Sequence, residues 1–242
     1  MRRSLRLFTI LVVVLATAAP AAAILDGEPD TAHPYVGILV TDLNGHRVPV
    51  CSGFLVTPTV FVTAAHCVDD LGSLPAYVSF DQTYSASSAV VRGTAVPNPD
   101  FGSPGTDTHD IALIVLDSAV NNRGHAQLPR LDLLSSVGKK EALTIVGYGA
   151  NGFIRGGGQP TPDFSLVRTF GESRISKLEK DGVNLRMSSG ICFGDSGGPV
   201  FLGSTDVVVG INSFVNNGRC GGNAFAYRMD TAGSLAFLAP YL

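Results

Sequence analysis

The sequence predicts an all-β chain, built as two antiparallel barrels or sandwiches. Glycine (28) and proline (14) are abundant and spread along the 242 residues, which suits many strands joined by tight turns. Roughly twelve apolar, β-branched runs of strand length are each bounded by Gly, Pro, Asn, Asp or Ser. No helical stripe shows until the end, where Asp230 is expected to cap a short helix through Ser234, Leu235 and Leu238, stopped by Pro240.

Residues 1–23 read as a signal peptide. Arg2, Arg3 and Arg6 form a positive start, Leu7 to Leu15 an apolar stretch, and Ala21, Ala22 and Ala23 the small residues a signal peptidase needs. The apolar part is short and no charged stop follows it, so the expectation is export to the extracellular space with no membrane attachment after cleavage. The formal charge of −3 becomes more negative once those arginines are gone. Such a surface excludes the basic footprint that nucleic acid requires.

The first half, 24–128, is expected to carry strands at 35–41, 52–56, 60–64, 76–80, 89–95 and 111–116. A polar, turn-rich stretch at 121–136 is the candidate linker. The second half, 129–242, carries runs at 142–147, 164–175, 184–188, 199–202, 207–214 and 224–229. Residues 149–158 read as a long mobile loop. Cys51, Cys67, Cys192 and Cys220 are an even set in an exported chain, which predicts two disulfides with three connectivities open. No C-x-x-C pair supports zinc, and Asp69, Asp70 and Asp81 do not settle into a calcium spacing, so no metal or cofactor is expected.

Chemistry enters with Gly194-Asp195-Ser196-Gly197-Gly198-Pro199. Glycines around a serine permit a sharp turn that exposes the hydroxyl and lets a substrate approach backbone N–H donors. Alone, the segment also fits the nucleophile elbow of an α/β-hydrolase. All five histidines (33, 46, 66, 109 and 125) precede Ser196, and that chain order excludes the elbow reading. His66 ends the apolar run 61–67, as a base held at a strand edge would. Asp110 stands immediately before a buried-looking strand, where a carboxylate can fix an imidazole tautomer.

Together, T-A-A-H-C at 63–67, D-I-A-L at 110–113 and G-D-S-G-G-P at 194–199 resemble the chymotrypsin/trypsin family of serine proteases. The resemblance spans the whole chain after residue 23. It implies two antiparallel six-stranded barrels with the active site between them, and a monomeric endopeptidase acting on polypeptides through an acyl-enzyme. His66, Asp110 and Ser196 would be the catalytic triad, and the N–H groups of Gly194 and Ser196 the oxyanion hole. Ser213 would bond the triad aspartate. The implied disulfides are Cys51–Cys67 and Cys192–Cys220. Ile24, freed as an amino terminus, would pair with Asp195.

The resemblance further places Gly190 at the pocket floor, with Ile191, Ser213, Phe214, Val215 and Ala224 around it. Gly190 brings no carboxylate to pair a substrate cation, and Val215 narrows one wall, so small or medium apolar side chains are expected, with larger apolar ones as the alternative because Ala224 leaves the opposite wall open. Leu25, Asp26, His109 and Tyr148 depart from the family's usual residues without touching the triad. The rival class, a secreted binding protein on an inactive protease scaffold, requires a replaced triad or oxyanion residue, and none is replaced.

Overall fold

The computed structural model describes residues 24 and 27–242, except 157, 181 and 189. The signal peptide expected at 1–23 therefore lies outside the described residues.

The first barrel closes from six antiparallel strands: β2 (Val36–Leu43), β3 (His46–Thr57), β4 (Val60–Thr63), β5 (Ala76–Ser79), β6 (Val91–Pro97) and β7 (Ala112–Leu116), in the order β2-β3-β4-β7-β6-β5. The preceding short strand is β1 (Glu28–Pro29). The second barrel uses β8 (Ala142–Gly147), β11 (Thr169–Leu178), β12 (Asn184–Met187), β13 (Pro199–Leu202), β14 (Val208–Val215) and β15 (Ala224–Arg228). Their order is β11-β12-β15-β14-β13-β8, with β8 pairing back onto β11 and β1 added at that strand's edge.

Each barrel is filled by its inward side chains. Phe54, Leu55, Phe61, Val62, Leu113 and Ile114 are fully buried in the first, and Ile145, Leu185, Met187, Val200 and Val209 in the second. Each such side chain contributes about 1.5–3 kcal/mol by leaving water. The first cluster runs on through Val146, Tyr148, Phe201 and Tyr227, so the barrels share apolar packing at their junction. Buried Arg168 adds polar ties there, donating to Asp30 and to the carbonyls of Val36 and Phe80.

Three local expectations are corrected. The stretch 149–158 is not all loop: Gly152–Ile154 (β9) pairs with Thr161–Asp163 (β10) in a two-stranded hairpin. The terminal helix α2 (Ala232–Leu238) is capped by Thr231, whose side chain accepts the Ser234 N–H, and not by Asp230. Asp230 instead takes the Arg228 guanidinium and the Leu134 N–H, which leaves it no role at the helix start. Finally, His66 does not end a strand. It sits in the five-residue helix α1 (Ala65–Asp69), which follows β4.

Candidate active site

A helix as short as α1 leaves its first N–H groups without intrahelical partners. Asp110 supplies one: its Oδ1 accepts the His66 backbone N–H at 3.0 Å. The same carboxylate meets His66 Nδ1 at 3.0 Å (Oδ2) and 3.1 Å (Oδ1), and Ser213 Oγ donates to Oδ2. Asp110 is thus gripped from both barrels. The backbone before it is bent by His109, which holds a left-handed φ of 49°.

Burial alone would raise the Asp110 pKa. The hydrogen bond and charge of His66, with the Ser213 hydroxyl, outweigh it and hold the carboxyl below its ordinary value. Burial likewise pushes His66 down, yet the Asp110 bond and charge, with Asp70's charge, carry it above 6.5.

The Ser196 turn is pinned by the first barrel. Ser52 N–H donates to the Ser196 carbonyl (2.8 Å), Ser52 Oγ donates to the Gly194 carbonyl (2.8 Å), and Ser52 Oγ accepts the Tyr148 N–H (2.9 Å). The turn also demands glycine. Gly197 has φ 81°, and a Cβ there would lie 2.2 Å from Thr63 Oγ1 and 2.3 Å from the Ser52 carbonyl oxygen. Gly194, with φ 91°, is crowded by the Gly149 backbone. Among the described residues, neither the Gly194 N–H nor the Ser196 N–H has a protein acceptor. Both donors are therefore available to an incoming oxyanion.

Ser196 and His66 face one cleft of about 290 Å³ that Gly194 also lines. No hydrogen bond joins the two side chains, a contact that often tightens only around substrate. A second cavity of about 230 Å³ opens beside Ser196 and is walled by Ile191, Phe193, Ser213, Phe214 and Val215. Gly190 and Ala224 are not on its walls. Ala224 is buried in the second core beside Ile191, because the alternation of β15 turns it inward, and a Gly190 Cβ would meet Ile145. Phe225, the next residue along β15, instead stacks on Phe214 with ring centres 4.5 Å apart.

Sequence reasoning missed Phe193, which lines both cavities, and Ser52, which holds the turn. Phe193's place between Cys192 and Gly194 was the available signal. For Ser52 there was none, since its role depends on contact between barrels.

Both disulfides join the implied partners, Cys51–Cys67 and Cys192–Cys220. They brace the His66 and Ser196 segments respectively. Cys51, Cys67 and His66 have ligand atoms within 4.8 Å of one another, but the two sulfurs are bonded to each other and offer no thiolate to a metal.

The expected Ile24–Asp195 pair is not formed. Ile24 is buried and its N–H donates to Thr169 Oγ1 at 2.7 Å. Asp195 is fully buried and accepts N–H groups from Gly149 and Cys192, both at 2.9 Å, with no cation beside it among the described residues. The reason is covalent. Ile24 is here an internal residue whose nitrogen is an uncharged amide. Burial consequently pushes the Asp195 carboxyl up to about 8, although the two N–H donors pull it down.

Two six-stranded antiparallel barrels, with a buried Asp–His pair facing a serine turn across their junction, define the class as a double-barrel serine hydrolase. The family model described as Trypsin matches residues 24–233, and the chain belongs to the trypsin-like serine protease family. It is 27% identical to a collagenase of Hypoderma lineatum over 201 residues, covering 77% of this chain and 74% of that one. It is 26% identical to the neutrophil elastase of Mus musculus over 235 residues, covering 93% and 84%. A solved HL collagenase structure shares the fold at a TM-score of 0.68 and 24% identity, covering 90% of this chain and 98% of that chain.

Proposed function

We propose that this protein is a secreted serine endopeptidase that cleaves after small or medium apolar residues, with Ser196 as nucleophile, His66 as general base and Asp110 as the residue that orients it. The single observation that carries this reading is Asp110, buried between His66 and Ser213 while His66 and Ser196 share one cleft. In the reaction, Ser196 Oγ attacks the peptide carbonyl and His66 Nε2 takes its proton. Asp110 holds Nδ1–H and stabilises the imidazolium. The Gly194 and Ser196 N–H groups receive the oxyanion. His66 then protonates the departing amine, and water repeats the sequence to release the acyl group. No observation favours the inactive-scaffold alternative.

The apolar preference is supported by the 230 Å³ cavity, which has no charged side chain on its walls and is narrowed by Ile191 and Val215. An arginine or lysine would be buried there unpaired. Secretion is supported by the two disulfides and the apolar stretch at 7–15. Among the described residues, no helix is long and apolar enough to cross a membrane.

Release of the Ile24 amine by cleavage after residue 23 is the proposed activating step, with signal peptidase sufficient to perform it. Ile24 N bonds Thr169, which pairs across the sheet with Gly147, and Gly147 packs directly against Asp195. The nitrogen and the carboxylate are thus separated by one cross-strand pair. Freed and charged, the amine has a short path to a buried carboxylate that lacks a cation.

The test is fluorophosphonate labelling of the purified mature protein, followed by hydrolysis of a peptide library. Labelling at Ser196 and cleavage after Ala, Val or Leu are expected. Ser196→Ala should fold, lose the label and lower kcat by a factor on the order of 10⁶. Undiminished hydrolysis by that variant refutes the nucleophile, and preferred cleavage after arginine refutes the pocket.

A further inference from the structure

A second hollow lies outside the triad cleft, between the β9–β10 hairpin and the 217–219 loop. Its two connected parts, about 670 and 510 Å³, share Pro160 and Arg219. Arg155 from the hairpin and Arg219 from the other loop line the same part, beside Phe153. Phe153 packs against the buried cluster of Ala150 and the Cys192–Cys220 disulfide, and so does Val215 from the wall of the apolar cavity next to Ser196. The hollow and that cavity are therefore neighbours across one disulfide.

Charge singles the hollow out. Both arginines are exposed, and among the described residues neither has a carboxylate within 4.0 Å. Arg168 and Arg228, by contrast, are buried and paired with aspartates. In a chain of net charge −3, two unpaired cations from different loops converge on one cavity with an apolar edge. Guanidinium groups suit a carboxylate's planar geometry, and the open sides leave room for a side chain arriving from an extended peptide.

We propose that Arg155 and Arg219 form a subsite for an acidic side chain of the polypeptide substrate, flanking the residue held in the apolar cavity. This inference rests on the endopeptidase reading and adds a second element to its specificity: an apolar residue at the cleavage point with Asp or Glu nearby. The strand β14 leads from Ser213 through Val215 directly into the 217–219 loop. A substrate lying along that edge brings residues from before the scissile bond toward Arg219.

The experiment uses the mature protein and peptides with one fixed apolar residue at the cleavage point, scanning Glu against Gln at each flanking position. At one or more positions Glu should raise kcat/KM about fivefold, the effect of two exposed charge pairs. The gain should fade in 0.5 M salt. Arg155→Ala with Arg219→Ala should abolish it while leaving the Gln peptides unaffected. Equal rates for Glu and Gln peptides, or a preference that survives in the double variant, overturns the subsite. Anisotropy of labelled Glu and Gln peptides is measured in parallel. Charge-selective binding lost in the double variant, without hydrolysis of any peptide, would sink the endopeptidase reading and leave the subsite standing.

Discussion

Asp110 and Asp195 are both buried aspartates beside the same cleft, one in each half of the chain, and their surroundings push them in opposite directions. Asp110 faces an imidazole, a hydroxyl and a helix N–H, and its carboxyl is held below the ordinary value despite burial. Among the described residues Asp195 faces two backbone N–H groups and no cation, and burial drives its carboxyl up to about 8. Asp110 has its partner as folded, whereas the partner proposed for Asp195 exists only after a peptide bond is cut.

The largest expected effect comes from removing the charge at the completed site. Asp110→Asn should fold but lose about 10⁴ in kcat, because an asparagine amide favours the wrong imidazole tautomer. Steady-state kinetics at neutral pH check it, and a loss under tenfold would show that another group orients His66. Asp195→Asn in the mature enzyme should cost less, about two to three orders of magnitude in kcat/KM. That is the scale of leaving the proposed Ile24 ammonium buried and unpaired. If activity is unchanged, the activation pair is wrong and the contrast between the two aspartates has no functional side.

The same comparison predicts opposite pH dependences of stability. A raised carboxyl pKa means the folded state binds the extra proton between its unfolded value, near 3.8, and about 8. The uncut chain should therefore be most stable below that window and lose stability as pH rises through about 8. Asp110, with a lowered pKa, contributes stability above its unfolded value and loses it as pH falls through the folded one. Thermal melts of uncut Ser196→Ala protein from pH 4 to 9, with and without Asp195→Asn, separate the two. A flat profile above pH 5 with Asp195 intact would mean that the carboxylate has a partner after all.

How much of this was legible depended on whether the cause was local. Ala142–Gly147 and Pro199–Leu202 match their runs residue for residue, because each is a mostly buried apolar run. β3 begins at His46, six residues before its predicted start. Its first three residues are exposed and Pro49 sits between Val48 and Val50, so this part of the strand is held by pairing with β2. The helix α1 spans five residues, too few for any periodicity to register. The triad candidates could be read because catalysis needs particular residue types in a particular order. Two of their supports could not: Ser52 and the Thr169 contact of Ile24 depend on segments brought together from far along the chain. Ala224 lies on β15, where one residue of register decides which face a side chain takes, and that register rests on pairing with β12 and β14.

The smallest expected effect concerns the setting of His66 and not its presence. As general base the imidazole must be neutral, so activity rises with pH through its pKa. Burial lowers that pKa, the Asp110 bond and charge raise it, and Asp70 adds a further upward push, leaving the net value above 6.5. Asp70 lines the cleft and its backbone N–H donates to the His66 carbonyl, but its carboxylate makes no hydrogen bond to the imidazole and acts on it through charge. Asp70→Asn should then shift the acid limb of kcat/KM to lower pH and leave the plateau rate nearly intact. Screening acts in the same direction, so the wild-type limb should move down in 0.5 M salt and the variant's limb should move less. Full pH–rate profiles of both proteins at two ionic strengths provide the check. A lowered plateau without a shifted limb would mean that Asp70 contacts substrate, and the balance of burial against charge at His66 would have to be redrawn around Asp110 alone.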